Sequence, residues 1–136
     1  MKSLLLIALA VVLCSCASHR YGNFTQGVPG KETYLAQDAV SQMARVYPPA
    51  QHTLCLSQKV TDGFGRALIQ GLRQKGYGVI ETSCSKQKAN FFYVLDELQT
   101  PNLYRITLFV NQQILSRLYL RTPKHFGPAS PWTHKE

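Results

Sequence analysis

Hydrophobic positions fall into three rhythms along the chain, and each predicts a different kind of element. The first is an unbroken apolar run from Leu4 to Leu13, behind Met1-Lys2 and ahead of Cys14-Ser15-Cys16. A basic start, an apolar stretch of about ten residues and a small residue before the break make a secretory signal, too short to span a bilayer. The second rhythm is helical. From Lys31 to Tyr47, Leu35, Ala39, Met43 and Val46 recur at helical spacing with Val40 and Tyr47 alongside, until Pro48-Pro49 ends the helix. Phe64, Leu68 and Leu72 line a second helix, capped by Thr61 or Asp62 and closed by Gly76 after Arg73 and Lys75.

The third rhythm belongs to strands. His52 to Ser57 and Tyr77 to Thr82 read as short strands, and Phe91 to Leu98, apolar on both faces, as a central one. Leu103 to Val110 alternates, with Tyr104, Ile106, Leu108 and Val110 inward. In the next strand, Ile114 to Arg121, the apolar set is Ile114, Leu118 and Leu120. Opposed residues of a hairpin share a face, so the register follows from matching these sets. A three-residue loop, Asn111-Gln112-Gln113, sets Ile106 opposite Leu118, whereas a two-residue turn sets Ile106 against Arg117. The three-residue loop is therefore predicted, placing Arg105, Arg117, Tyr119 and Arg121 together on the outer face. The order α-β-α-β-β-β gives an α+β domain, two helices packed on a mixed or antiparallel sheet. Its expected core includes Leu35, Met43, Phe64, Leu68, Leu72, Ile106, Leu108 and Leu118.

Removing Met1 to Ser15 from 136 residues leaves 121, enough for one modest domain. The expected organisation is a signal peptide over 1–15, a flexible lipidated tether over 16–30, the domain over 31–121 and a tail over 122–136. The tail is too polar and proline-rich for regular structure by composition, and its Trp132 either folds back on the sheet or meets another subunit. Net charge is +8, and +7 once Lys2 leaves, spread over both halves without a basic run. That describes an electropositive surface.

The signal's end carries the most specific chemistry. A thiolate just after Leu13-Cys14-Ser15 can accept a diacylglyceryl group before cleavage leaves it amino-terminal, and the segment resembles a bacterial lipobox. Bulky Leu13 disfavours Cys14 as acceptor, so Cys16 is the expected site of S-diacylglyceryl and N-acyl modification, with Leu13, Cys14 and Ser15 as the signal peptidase recognition residues. Three acyl chains at about 0.8 kcal/mol per buried methylene hold tightly. Ala17, in place of the aspartate that retains many lipoproteins at the inner membrane, points to the outer membrane. Cys55 and Cys84 remain either as a disulfide or as two buried thiols.

Elsewhere the chemistry is sparse. No Ser, Thr or Cys has a nucleophile elbow or a spaced His and acid, and His19, His52, His125 and His134 are scattered. Neighbouring Asp96 and Glu97 point to opposite faces of a strand. No catalytic residue, metal site, cofactor or small-molecule substrate is expected. The glycines between Gly63 and Gly78 lack the order of a nucleotide-binding loop. Arg105, Arg117, Arg121 and Tyr119 mix basic and aromatic groups, as single-stranded nucleic acid sites do. A lipid-anchored periplasmic domain seldom meets nucleic acid, so these four and Trp132 read better as contacts for a protein partner.

Several short motifs are shared with a known family: Tyr21-Gly22-Asn23-Phe24 after the lipid cysteine, Val46-Tyr47-Pro48-Pro49-Ala50, Phe64-Gly65, Gly76-Tyr77, Tyr93-Val94-Leu95-Asp96, Asn102-Leu103-Tyr104-Arg105 and Trp132. Together they resemble the TrbH conjugal-transfer lipoproteins. The resemblance implies a palmitate-bearing subunit of a type IV secretion (mating-pair formation) apparatus, with its domain in the periplasm and other envelope subunits as partners. A stand-alone envelope lipoprotein, for surface exclusion or ligand binding, is the alternative.

Overall fold

A computed structural model describes residues 20–85 and 88–136. In chain order the elements are β1 (Gly22–Asn23), α1 (Glu32–Val46), a 3-10 turn (Pro49–Gln51), β2 (Thr53–Leu56), α2 (Gly63–Lys75) and β3 (Gly78–Ile80). Then follow β4 (Ala89–Glu97), β5 (Leu103–Val110), β6 (Gln113–Arg121), β7 (Phe126–Pro128) and β8 (Thr133–Lys135). The strands form one mixed sheet in the order β3-β2-β4-β5-β6-β7, with β1 extending the β2 side of β4 and β8 extending the β7 side of β6. β2, α2 and β3 make a parallel βαβ unit, and β4, β5 and β6 make an antiparallel meander.

The expected α+β architecture is present: two helices pack side by side and cover one face of the sheet. α1 buries Leu35, Ala36, Ala39, Val40 and Met43, while α2 buries Phe64, Leu68, Ile69 and Leu72. Against them stand Phe91, Tyr93 and Leu95 of β4, with Tyr104, Ile106, Leu108 and Val110 of β5. Each fully buried large side chain contributes about 1.5–3 kcal/mol.

Local signals in α2 act as their chemistry dictates. Asp62 accepts the Gly65 N–H at 2.8 Å as N-cap, and Gly76, at φ 107°, takes the left-handed conformation that ends the helix. The Asp62 carboxylate also accepts the Tyr93 hydroxyl at 2.6 Å, fastening the helix start to the central strand. Cys55 on β2 and Cys84 in the loop after β3 form a disulfide with their Cα atoms 5.8 Å apart.

Three expectations give way. The β5–β6 turn has two residues, Asn111 and Gln112, and sets Val110 opposite Gln113, Leu108 opposite Leu115 and Ile106 opposite Arg117. Asn111 enters the left-handed region at φ 55°; its N–H bonds the Asn90 carbonyl at 2.8 Å and its side-chain oxygen accepts the Asn90 N–H at 3.0 Å. These bonds fix the tighter turn and move every β6 side chain to the opposite face. Leu118 thus leaves the expected core for the outer face, where it is half-buried.

The tail, expected to lack regular structure, supplies β7 and β8, both antiparallel to β6. Its prolines do not prevent this, because an edge strand needs backbone donors on one side only. Nor is the described part of the tether loose: β1 pairs with Val94 and Leu95, and Tyr21 stacks on Phe92 at 4.3 Å with its edge toward Phe109 at 5.3 Å. These rings lie on the sheet face away from the helices.

Candidate functional site

Two-residue pairing across the β5–β6 turn divides the group of basic and aromatic residues expected on one outer surface. Arg117 and Tyr119 point inward, toward α1, where Asp38 receives both. Arg117 Nη1 lies 2.9 and 3.1 Å from the Asp38 oxygens, and the Tyr119 hydroxyl donates to the same carboxylate. Arg117 Nε also donates to the Ser130 carbonyl at 2.9 Å, and Ser130 Oγ accepts the Leu118 N–H at 3.0 Å. One carboxylate on α1 therefore holds β6 and the tail in place. Burial first, and the Asp38 carboxylate next, drive the Tyr119 hydroxyl well above the ordinary tyrosine range.

An Arg opposite Ile106 looked unfavourable because an unpaired charge on a buried face is costly. Asp38 removes that objection. It sits three residues after Leu35, at the flank of the apolar stripe, and that position was the available signal for an inward Arg.

Arg105 alone of the three arginines faces fully outward. It forms a fork with Asp96, Nη2 to Oδ2 at 2.6 Å and Nε to Oδ1 at 3.2 Å, and that hydrogen bonding raises its pKa. Around it the outer face presents half-buried Phe92, Val94, Phe109 and Leu118, with Leu120 exposed. Arg121 lies at the other face, above the rings of Tyr104 and Phe126 at 5.8 Å each. Trp132 folds back, partly buried against the core, and its indole Nε1 has no hydrogen-bond partner among the described residues. Arg105, Arg117, Tyr119, Arg121 and Trp132 thus do not converge on one site.

A cleft that sequence reasoning missed opens where α1 begins and β6 meets β7. Lys31, Arg121, Lys124 and His125 surround it, with Phe126 as its aromatic wall. Lys31 Nζ sits 5.7 Å from the Phe126 centroid. Arg121, Lys124, His125 and Phe126 belong to one short stretch, closed on itself by the pairing of Arg121 with Phe126, and Lys31 joins them from the start of α1.

The proposed lipidation residue Cys16 and the recognition residues Leu13, Cys14 and Ser15 lie outside the described residues. Among the described residues no helix is long and apolar enough to cross a membrane. No curated protein and no solved structure matches the chain. The family model described as conjugal transfer protein TrbH, however, matches residues 18–136, which takes in every element from β1 to β8, and the chain belongs to that family.

Proposed function

We propose that this conjugal transfer protein acts as a lipid-anchored structural subunit of a type IV secretion apparatus, tethered to the outer membrane through Cys16 with its domain in the periplasm. Its contribution is placement, not catalysis. The observation that carries this reading is the docking of Tyr21 on Phe92 at 4.3 Å. Cys16 precedes Tyr21 by five residues, and five extended residues reach at most about 18 Å. An acylated Cys16 would therefore hold the domain against the membrane surface and raise its local concentration for neighbouring envelope subunits. Of the residues expected to meet a partner, Arg105 and Arg121 reach solvent, whereas Arg117 and Tyr119 are bonded to Asp38 and serve the fold.

Labelled palmitate and mating efficiency test the proposal together. Cys16→Ser is expected to abolish labelling, membrane retention and transfer of the conjugative element, and Cys14→Ser to preserve all three. Labelling that persists in Cys16→Ser overturns the anchor assignment. Normal transfer by an unlipidated but folded chain overturns the role of tethering.

A further inference from the structure

We propose that the cleft formed by Lys31, Arg121, Lys124, His125 and Phe126 binds a phosphate group. It encloses about 360 Å³, and its lining includes three side chains of fixed positive charge and no carboxylate. The nearest acid in sequence, Glu32, does not line the cleft; its Oε2 accepts the backbone N–H of Lys31 at 3.1 Å. Among the described residues none of Lys31, Arg121 and Lys124 forms an ion pair.

The cations are held rather than left to drift. Arg121 lies over Tyr104 and Phe126, and Lys31 over Phe126, which positions both without neutralising either. Between them the turn from Thr122 to His125 is closed by Thr122 N–H to the His125 carbonyl at 2.7 Å and His125 N–H to Thr122 Oγ1 at 3.0 Å. That turn fixes the backbone from which Lys124 projects.

Gathering three like charges in one cleft costs Coulomb energy, and a bound anion reverses its sign. A carboxylate brings one negative charge and leaves two cations unmatched. A phosphate monoester brings up to two, with oxygens that suit the Arg fork and two lysine point charges. Free phosphate and a phosphomonoester lipid headgroup share this chemistry. The assignment does not depend on acylation of Cys16.

The test is a titration of the full chain in neutral detergent at low ionic strength, followed by amide chemical shifts. One arm uses inorganic phosphate, and the other short-chain phosphatidic acid with phosphatidylcholine as its zwitterionic control. Saturable binding is expected, with shifts centred on Lys31 and the Thr122–Phe126 segment. Lys31→Gln with Arg121→Gln should weaken it at least tenfold, Lys124→Gln alone several-fold, and Arg45→Gln at the far end of α1 not at all. Because Lys124 is exposed, its variant tests the site even if the double variant folds poorly. Binding in the inorganic phosphate arm alone identifies free phosphate as the ligand, and binding of phosphatidic acid identifies the headgroup. The proposal is overturned by no saturation in either arm, or by affinity that Lys124→Gln leaves unchanged.

Discussion

Arg117 on β6 reaches Asp38 on α1, its Nη1 2.9 and 3.1 Å from the two carboxylate oxygens, across 79 residues of sequence. Their side chains are 20% and 25% exposed, between a surface pair worth under about 1 kcal/mol and a buried pair whose disruption costs about 3–5 kcal/mol. Arg117→Ala or Asp38→Ala should therefore destabilise the domain by about 1–3 kcal/mol in urea unfolding, because each leaves the other charge without its partner. Arg117→Leu combined with Asp38→Leu should cost less than the two single changes added together. Singles within 0.5 kcal/mol of the parent would show that the pair is not what holds β6 to α1.

Gly65 sits where α2 meets the central strand, and no other residue fits there. A Cβ at this position would lie 2.7 Å from Tyr93 Cζ and 2.7 Å from Val60 Cγ1, and closer still to the Tyr93 hydroxyl. The Tyr93 ring is held there, since its hydroxyl is bonded to the cap residue Asp62. Gly65→Ala is expected to cost at least the 1–3 kcal/mol typical of an overpacked core. Tyr93→Phe, which removes the nearest atom, should recover part of that loss. A parental denaturation midpoint for Gly65→Ala would mean that the helix and strand are further apart than 2.7 Å implies.

The two helices, the central place of β4 and the inward set of β5 were legible because each rests on a period within one element. Phe64, Leu68 and Leu72 declare their face without reference to any other segment, and Gly76 ends α2 for a reason local to its own backbone. Register is different: it depends on partners the period does not name. Matching Ile106 to Leu118 treated the hairpin as isolated, whereas Asn90 on β4 and Asp38 on α1 determine which side of β6 faces inward. The tail was misread for the same reason. Thr133 to Lys135 has no apolar alternation, and it becomes a strand because β6 offers an open edge there. The basic cleft sets Lys31, from the start of α1, beside the β6–β7 turn, so no single window of sequence could have revealed it.

Asn111 tests this account of the register. It combines a left-handed φ of 55° with a side-chain bond to the Asn90 N–H. Asn111→Ala loses both advantages and should destabilise by about 1–2 kcal/mol, the sum of a strained conformation and one unmade hydrogen bond. Asn111→Gly keeps the backbone freedom and loses only the bond, so it should fall between Ala and the parent. If Gly is as damaging as Ala, the positive φ is not what selects the two-residue turn.

Alkaline pH should unfold this domain through its tyrosines. Burial pushes the Tyr77 hydroxyl up to about 12, and burial together with Asp62 and Asp38 raises Tyr93 and Tyr119 further. In the unfolded chain each titrates near 10. A folded-state pKa above the unfolded value means that the native state holds its proton longer. The stability this represents is complete below about pH 10 and is lost as pH rises through the folded values. Each such group contributes a slope of about 1.4 kcal/mol per pH unit once the unfolded form ionises, so three together give up to about 4 kcal/mol per unit. Urea midpoints should stay level to about pH 9.5 and then fall steeply toward pH 11. Tyr93→Phe and Tyr119→Phe should each begin from lower stability, since each frees a carboxylate from its hydroxyl donor, yet each should show a shallower alkaline slope by about one proton. A slope unchanged in both variants would mean that the lysines, not these buried hydroxyls, carry the alkaline transition.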